Sequence, residues 1–372
     1  MVCSCKGVFT PGAELLAPMR LPSMTAASRS VGSFLAAQGP LLDVRSPGEY
    51  AQAHIPGALS LPLFDDAERA EIGTLYKAEG RQVAVRRGLA LIAPRLEVLA
   101  AQLQRHADGA GGQPLRLHCW RGGMRSASVA WLASTLDLPV LLLEGGYKRF
   151  RRWALELFDQ PWPIRLLGGR TGCGKTDLLL ELQKQGLAVI DLEGRANHRG
   201  SSFGALGLSP QPSVEQFENM LALDLWHHQG EAEIWMEAES SQLGRCRIPA
   251  GLWQQMRQAP LLEVQRPLEQ RLDQLVAIYG VQDPEALAEA TRRISRRLGP
   301  QRTAAALEAI EARDWAGACR QMLDYYDRCY DNELKEHAVK SAELGRLSAE
   351  AGARWLLEQG LIQPGRSFRA EA

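Results

Sequence analysis

The stretch that decides how this chain reads is Leu115-Arg116-Leu117-His118-Cys119-Trp120-Arg121-Gly122-Gly123-Met124-Arg125-Ser126. Apolar residues lead into a single cysteine. Two glycines and two arginines follow, and then an apolar run suited to a helix, residues 127–136. The order is strand, tight loop, helix, with the cysteine at the end of the strand. Amide N–H groups of the loop and the positive end of the helix dipole then point at the sulfur, a field that stabilises an anion. Arg125 follows Cys119 by six positions and can close over a tetrahedral anion with a two-pronged hydrogen bond. The spacing therefore predicts a nucleophilic thiolate in an anion cradle. A free cysteine is often merely buried, but a core cysteine needs neither Gly-Gly nor flanking arginines.

Composition sets the frame around this loop. The 372 residues are too many for one core, so two or three domains are expected. A hydrophobic share of 45% excludes a largely disordered chain. Basic and acidic residues balance at 43 each, so no global field recruits nucleic acid and any such binding must use local patches. Seven scattered cysteines fit reduced thiols in a cytoplasmic protein better than a secreted disulfide framework. The sequence contains no apolar run long enough to span a membrane. Residues 1–24 read as a loose, disordered leader or as an upstream mis-start with Met24 as the working first residue. Cys3 and Cys5 lack the second pair that a metal site would need.

From about Thr25 a first α/β domain is expected, extending to residue 158. Leu41-Leu42-Asp43-Val44-Arg45 reads as a buried strand ending in charge. Ser46-Pro47-Gly48-Glu49-Tyr50 and His54-Ile55-Pro56-Gly57-Ala58 read as turns, and residues 59–63 as a strand. Helical periodicity runs through 84–104, and 140–143 is a further buried strand before Gly145-Gly146. Short apolar strands alternating with helices indicate a parallel sheet covered on both faces. These turns, the Cys119 loop and Glu144-Gly145-Gly146-Tyr147 together resemble a rhodanese domain over roughly residues 25–155. The resemblance implies a cysteine that carries a sulfur-type atom, with Asp43 and Arg45 holding the fold. The loop departs from common sulfur-transfer rhodaneses, which space cysteine and arginine as C-x4-R. Here it is C-x5-R, the size used by rhodanese-like phosphatases to hold a phosphate-sized anion.

A second domain is expected over 159–266. Residues 164–167 read as a strand, and Gly169-Arg170-Thr171-Gly172-Cys173-Gly174-Lys175-Thr176 matches G-x-x-x-x-G-K-S/T ahead of an apolar helix. Gly169, Gly172 and Gly174 let backbone N–H groups surround phosphate oxygens, Lys175 adds a point charge, and Thr176 can ligate Mg²⁺. Ile234-Trp235-Met236-Glu237 resembles a metal-side strand but ends in Glu, with Glu239 two positions on. No clear base for activating water is visible, so ATP and another diphosphate both remain open as the ligand. The polar loop after Val189-Ile190 begins at a strand's C-terminal end, where ligands bind in open parallel sheets. There Asp191 and Glu193 can hold Mg²⁺, and Asn197, His198 and Arg199 can touch substrate. From Pro267 the chain reads as helical, with periodicity at 286–298, 304–322 and 349–358. Two basic runs stand out. Lys148, Arg149, Arg151 and Arg152 are interleaved with Tyr147, Phe150 and Trp153, and Arg292, Arg293, Arg296, Arg297 and Arg302 carry no acid among them. Basic residues with aromatics suit phosphate contacts and base stacking in RNA.

The fold class expected is thus a rhodanese-like parallel α/β domain, then a P-loop NTPase-like α/β domain with a helical C-terminal region over 267–372. From about residue 25 the chain is similar to the bacterial tRNA 2-selenouridine synthase family, in segments 118–126, 144–148, 168–176, 191–204, 295–302 and 325–330. The resemblance implies replacement of sulfur by selenium in 2-thiouridine at wobble position 34 of tRNAs for Lys, Glu and Gln. It implies selenophosphate as donor and geranyl diphosphate as co-substrate, the geranyl group making sulfur a better leaving group. It further implies the anticodon arm as partner, and a selenophosphate-producing enzyme upstream. On that basis Cys119 is the nucleophile and selenium carrier, with Arg121 and Arg125 holding the anion. The P-loop would hold the prenyl diphosphate, through Mg²⁺ at Thr176 and at Asp191, Glu193 or Glu237. Two other readings compete. One is a sulfurtransferase or phosphatase fused to a small-molecule kinase, which predicts ATP turnover without tRNA. The other is a regulatory binder with an inert rhodanese fold, which the intact Cys119 and both arginines argue against.

Overall fold

A computed structural model describes residues 26–334 and 339–363. The expectations for residues 1–24 fall outside these. The chain forms two compact units. Among the described residues the first holds 26–46 together with 59–146, and the second holds 47–58, 147–334 and 339–363. Among the described residues no helix is long and apolar enough to cross a membrane.

In the first unit five strands form one parallel sheet: Ala27–Arg29 (β1), Leu41–Asp43 (β2), Leu59–Ser60 (β3), Leu115–His118 (β4) and Val140–Leu143 (β5), in the order β1-β5-β4-β2-β3. β4 is central; Leu115, Leu117 and His118 are buried and Arg116 is half-buried. Leu42, Leu103, Leu115, Leu117, Val129 and Ala133 pack around it, joining the sheet to helices Leu96–Asp108 and Met124–Thr135. The periodic stretch 84–104 divides in two. Pro94 cannot donate to a helical ladder, and a short 3₁₀ turn Ala93–Arg95 separates helices Arg81–Ile92 and Leu96–Asp108. Helix Asp66–Ala78, closed by a reciprocal Asp65–Glu68 capping box, precedes them.

The second unit has its own parallel sheet. Its strands are Ile164–Gly168 (β6), Val189–Ile190 (β7), Ile234–Glu237 (β8), Leu261–Gln265 (β11) and Val339–Glu343 (β12), in the order β12-β11-β6-β8-β7. Gln242–Leu243 (β9) and Cys246–Arg247 (β10) form a small antiparallel pair. Leu167, Leu178, Leu179, Leu182, Leu262, Val264 and Leu356 fill one side of this core. The C-terminal region departs from an all-helical reading: β12 returns to the sheet and pairs with β11 over five residues. Its sequence Val-Lys-Ser-Ala-Glu buries only Ala342, so it gives no apolar signal. The periodic stretch 304–322 also breaks, at Ala312–Asp314, where Arg313 takes a left-handed φ of 57° between helices Pro300–Glu311 and Trp315–Leu334.

Residues 47–58, read as rhodanese turns, belong to the second unit, where helix Val214–His227 holds them. Gln216 accepts from the His54 amide at 2.8 Å, and Asn219 donates to the His54 carbonyl at 2.9 Å. Ser213, which caps the same helix, donates to the Gln52 carbonyl. Asn219 also donates to the Tyr147 hydroxyl at 2.8 Å, which in turn donates to Glu215 at 2.7 Å.

Candidate active sites in the two units

In the first unit the strand–loop–helix reading holds. β4 ends at His118, Cys119 follows, and helix Met124–Thr135 begins after Gly123. The Cys119 side chain is 3% exposed, and its Sγ lies 3.2 Å from the Ser126 Oγ. Ser126 also donates to the Gly123 carbonyl at 3.2 Å, so one hydroxyl ties the thiol to the loop backbone. The loop is pressed against the turn after β5. A Cβ on Gly146 would stand 2.3 Å from the Cys119 carbonyl oxygen and 2.4 Å from the Gly122 nitrogen. Gly146 also has φ of +59°, so both space and backbone demand glycine.

Beneath the loop lies a buried charge pair. Arg45 and Asp43 are 1% and 0% exposed and share paired hydrogen bonds, the shortest 2.6 Å. The Asp43 carboxylate lies 3.7 Å from the Nε2 of buried His118, and the Val44 amide donates to the His118 carbonyl at 3.0 Å. These groups tie the ends of β2 and β4 directly under Cys119, which is a positioning task. Arg121 and Arg125 line the cleft onto which Cys119 opens.

In the second unit Gly169–Gly174 follow central strand β6, and Lys175 and Thr176 open helix Lys175–Lys184. The loop lines a cleft of about 590 Å³ that also takes in Asp191, Glu193, Asn197, His198, Arg199 and Glu239. Lys175 donates to the Gly169 carbonyl at 3.1 Å and lies 3.9 Å from Glu239. Burial disfavours its ammonium, but the surrounding groups, Glu239 and then Glu193 foremost, outweigh burial and leave its pKa above the ordinary lysine value. Thr176 donates to Glu193 at 3.0 Å, and burial raises the Glu193 pKa. Asp191 caps helix Leu192–Ala196 by accepting from the Gly194 amide at 2.7 Å. His198 is 8% exposed, and burial lowers its pKa below the ordinary histidine value. A Cβ on Gly204 or on Gly244 would collide with its ring.

One expected site residue stands elsewhere. Glu237 is fully buried, lies outside the cleft lining, and accepts from the Leu192 amide at 2.9 Å. Burial, followed by Asp191 and Glu193, pushes its pKa well above the usual carboxylate value. Glu239, beyond the strand's end, is the acid that faces Lys175. Among the described residues no cluster of three or more His, Cys, Asp or Glu forms a ready-made metal site. Thr176, Glu193 and Glu239 do supply hard oxygen donors on one side of the cleft. That suits Mg²⁺, which usually takes only one or two protein carboxylates beside phosphate oxygens and water.

A narrow apolar cavity adjoins this cleft and shares Thr171, Ser201, Leu275, Tyr279 and Tyr326 with it. Its inner wall is Phe203, Leu287, Ile310, Trp315 and Met322. The phosphate cradle therefore opens sideways onto hydrocarbon.

Sequence reasoning missed the braces of the P-loop. Arg271, 4% exposed, donates to the Thr171 carbonyl at 2.9 Å and pairs with Asp327 through both terminal nitrogens, at 2.5 and 3.0 Å. Arg266 donates to the Cys173 carbonyl at 2.9 Å. A Cβ on Gly172 would meet the Arg271 carbonyl oxygen at 2.7 Å. These arginines stand about a hundred residues downstream, Arg266 just after β11 and Arg271 in helix Leu268–Tyr279, and no local motif announces them.

The two basic runs fare differently from their expectation. Arg151 pairs with Glu218 at 2.5 Å and with Asn219 at 2.6 Å, inside the unit. Tyr147 and Phe150 are 0% exposed, so they are core and not stacking platforms. Lys148, Arg149 and Arg152 remain on the exposed side. In the second run Arg292 meets Glu285 at 2.8 Å and Arg293 meets Glu289 at 3.9 Å, so acids accompany it in space. Arg297 lines the P-loop cleft.

Residues 162–359 match the family described as tRNA 2-selenouridine synthase AAA domain, and residues 30–152 match the rhodanese-like domain. The chain is 37% identical over 339 residues to a tRNA 2-selenouridine synthase of Sulfurovum sp. (strain NBC37-1), covering 81% of this chain and 90% of that protein. It is 38% identical over 350 residues to the tRNA 2-selenouridine synthase of Cronobacter sakazakii, covering 82% and 89% respectively. A relative of the same name from Marinobacter nauticus is 34% identical over 338 residues, covering 80% and 89%.

Proposed function

Because the chain belongs to the tRNA 2-selenouridine synthase family, and so is a tRNA-modifying enzyme, we propose that its two units are two chemical stations for one base. The P-loop unit binds geranyl diphosphate and transfers the geranyl group to the sulfur of 2-thiouridine. The rhodanese-like unit then exchanges the alkylated sulfur for selenium drawn from selenophosphate. The substrate is the wobble uridine, position 34, of tRNAs for Lys, Glu and Gln.

The observation that carries this reading is the apolar cavity opening off the phosphate cradle. A prenyl diphosphate has a charged head and a hydrocarbon tail; the cleft offers room for the head, and the apolar cavity of about 50 Å³ that adjoins it receives the near end of the tail. Lys175 and the loop amides hold the diphosphate, and Thr176, Glu193 and Glu239 would hold Mg²⁺ against it. The ion supplies charge neutralisation of the leaving diphosphate. Alkylation matters because a thiocarbonyl sulfur would otherwise leave carrying two negative charges. At the other station Cys119 is the nucleophile that takes the phosphoryl group from the donor's selenium and is freed by water as phosphate leaves; Arg121, Arg125 and the loop amides hold the tetrahedral donor, and Ser126 stabilises the thiolate. The exposed Lys148, Arg149 and Arg152 supply contacts to the phosphates of the anticodon arm.

Nucleoside mass spectrometry tests this directly. Unmodified protein incubated with 2-thiouridine tRNA, geranyl diphosphate and selenophosphate should yield S-geranyl-2-thiouridine and then 2-selenouridine. Lys175→Ala should lose geranylation yet still convert a pre-geranylated tRNA. Normal prenylation by Lys175→Ala, or equal support from ATP in place of geranyl diphosphate, would remove the P-loop assignment.

A further inference from the structure

The cleft in front of Cys119 is larger and greasier than an anion requires. It measures about 670 Å³ and lies between the loop carrying Cys119, Arg121 and Arg125 and the two helices Asp66–Ala78 and Arg81–Ile92. Selenophosphate needs only amides and cations. The walls instead present Ile72, Tyr76, Val85 and Leu89 from the helices and Trp120 and Met124 from the loop. Leu89 is 63% exposed, Tyr76 52% and Met124 45%, so a run of large apolar groups faces solvent beside the nucleophile. Concave apolar surface of this size beside a few convergent charges is the usual form of a small-molecule site. The helices are seated to make it. Gly88 is buried, and a Cβ there would press on Phe64 at 3.3 Å, so glycine lets helix Arg81–Ile92 lie close against the core.

We propose that this cleft binds the hydrocarbon chain on the sulfur of the base while that sulfur is displaced. The inference rests on the S-alkylated base proposed above. Two features commit the cleft to this occupant. Its apolar walls run up to Cys119, where the reacting carbon must stand. The cationic groups Arg69, Lys77, Arg121 and Arg125 share the same lining and suit the donor anion and the RNA phosphates. The selenium of selenophosphate forms the C2–Se bond with its own electron pair as the C2–S bond breaks, and passage of its phosphoryl group to the Cys119 thiolate and then to water leaves 2-selenouridine and phosphate. Sulfur leaves with the pair of the broken bond and takes a proton from water, so a prenyl thiol is released into the cleft. The hydrocarbon is thus accommodated twice, once at each station.

The test uses the full chain and anticodon stem-loop RNAs bearing S-geranyl- or S-methyl-2-thiouridine. Each buried methylene is worth roughly a factor of four in affinity, so burial of only three or four of the additional carbons should make the geranyl RNA bind about a hundredfold tighter than the methyl RNA. Leu89→Asn and Tyr76→Asn alter exposed positions and should leave the fold intact. Each should weaken geranyl RNA binding about tenfold and leave methyl RNA binding unchanged. Equal binding of the two RNAs by unmodified protein, or variants that weaken neither or both alike, would overturn the cleft assignment. Turnover with selenophosphate is measured in parallel. Should the geranyl RNA bind through Leu89 and Tyr76 but never become 2-selenouridine, the proposed intermediate fails while the binding site stands.

Discussion

The hydroxyl of Ser126 stands 3.2 Å from the thiol of Cys119, at the first turn of helix Met124–Thr135. It is also within reach of the Gly123 carbonyl, so its proton can swing between the loop and the sulfur. A hydrogen bond to a charged acceptor is worth about 1.5–3 kcal/mol. Ser126→Ala should therefore slow selenium incorporation by about ten- to a hundredfold. Ser126→Thr should retain most of the rate, and geranyl transfer should be unchanged in both. Single-turnover selenation of a pre-geranylated RNA checks this; an unaltered rate in Ser126→Ala would show that the hydroxyl does not serve the thiolate.

Gly146 gives the second expectation. Its missing side chain makes room for the backbone of the cysteine loop. Gly146→Ala should destabilise the protein by about 1–3 kcal/mol and abolish selenation, because the loop must shift. Gly80 is the control, with φ of +88° and open space for 4 Å around the place a Cβ would take. Gly80→Ala carries only the backbone cost, about 1 kcal/mol, and should keep activity. Thermal unfolding and selenation assays on the pair separate strain from collision.

Arg271 braces the P-loop from outside the motif. Lysine cannot reproduce its two-pronged grip on Asp327 together with the bond to Thr171. Arg271→Lys should raise KM for geranyl diphosphate about tenfold, with selenation of pre-geranylated RNA untouched. A kinetic profile equal to the unmodified enzyme would remove the bracing role.

Glu237 predicts a pH dependence of stability. Burial raises its folded-state pKa well above the ordinary value of 4.5. In the window above 4.5 the folded state holds a proton that the unfolded state has released, so this group's contribution falls as pH rises. Glu237→Gln keeps an acceptor for the Leu192 amide and removes the charge. It should raise Tm at pH 7, with the gain shrinking as pH falls towards the ordinary carboxylate value. Melting curves across that range decide it; a gain that grows at low pH would reverse the sign argued here.

Both chemical loops were legible because their signals are local. A strand, a glycine turn and a helix start lie within a dozen residues around Cys119, and the same holds for Gly169–Thr176. The parallel α/β architecture followed from apolar runs too short for helices. Features that depend on distant pairing were hidden. β12 has almost no buried side chain and exists because β11 offers an edge. Glu237 and Glu239 look interchangeable in sequence, yet the strand buries one while the turn beyond it delivers the other to Lys175. The aromatics among Lys148–Arg152 resembled a stacking surface until their burial showed a core face. Arginine at 271 carries no mark of the loop it holds.

The segment 47–58 has a practical consequence for anyone dividing this enzyme. It lies in sequence between β2 and β3, yet it is counted with the P-loop unit and bonded to helix Val214–His227. No single scission of the polypeptide separates the two units. A fragment ending near residue 150 would carry this segment away from the groups that hold it, and a fragment starting there would lack it altogether. Separate expression of the halves would therefore need a circularly rearranged or internally spliced gene, and the activity of a simple truncation would report a broken unit along with a missing partner.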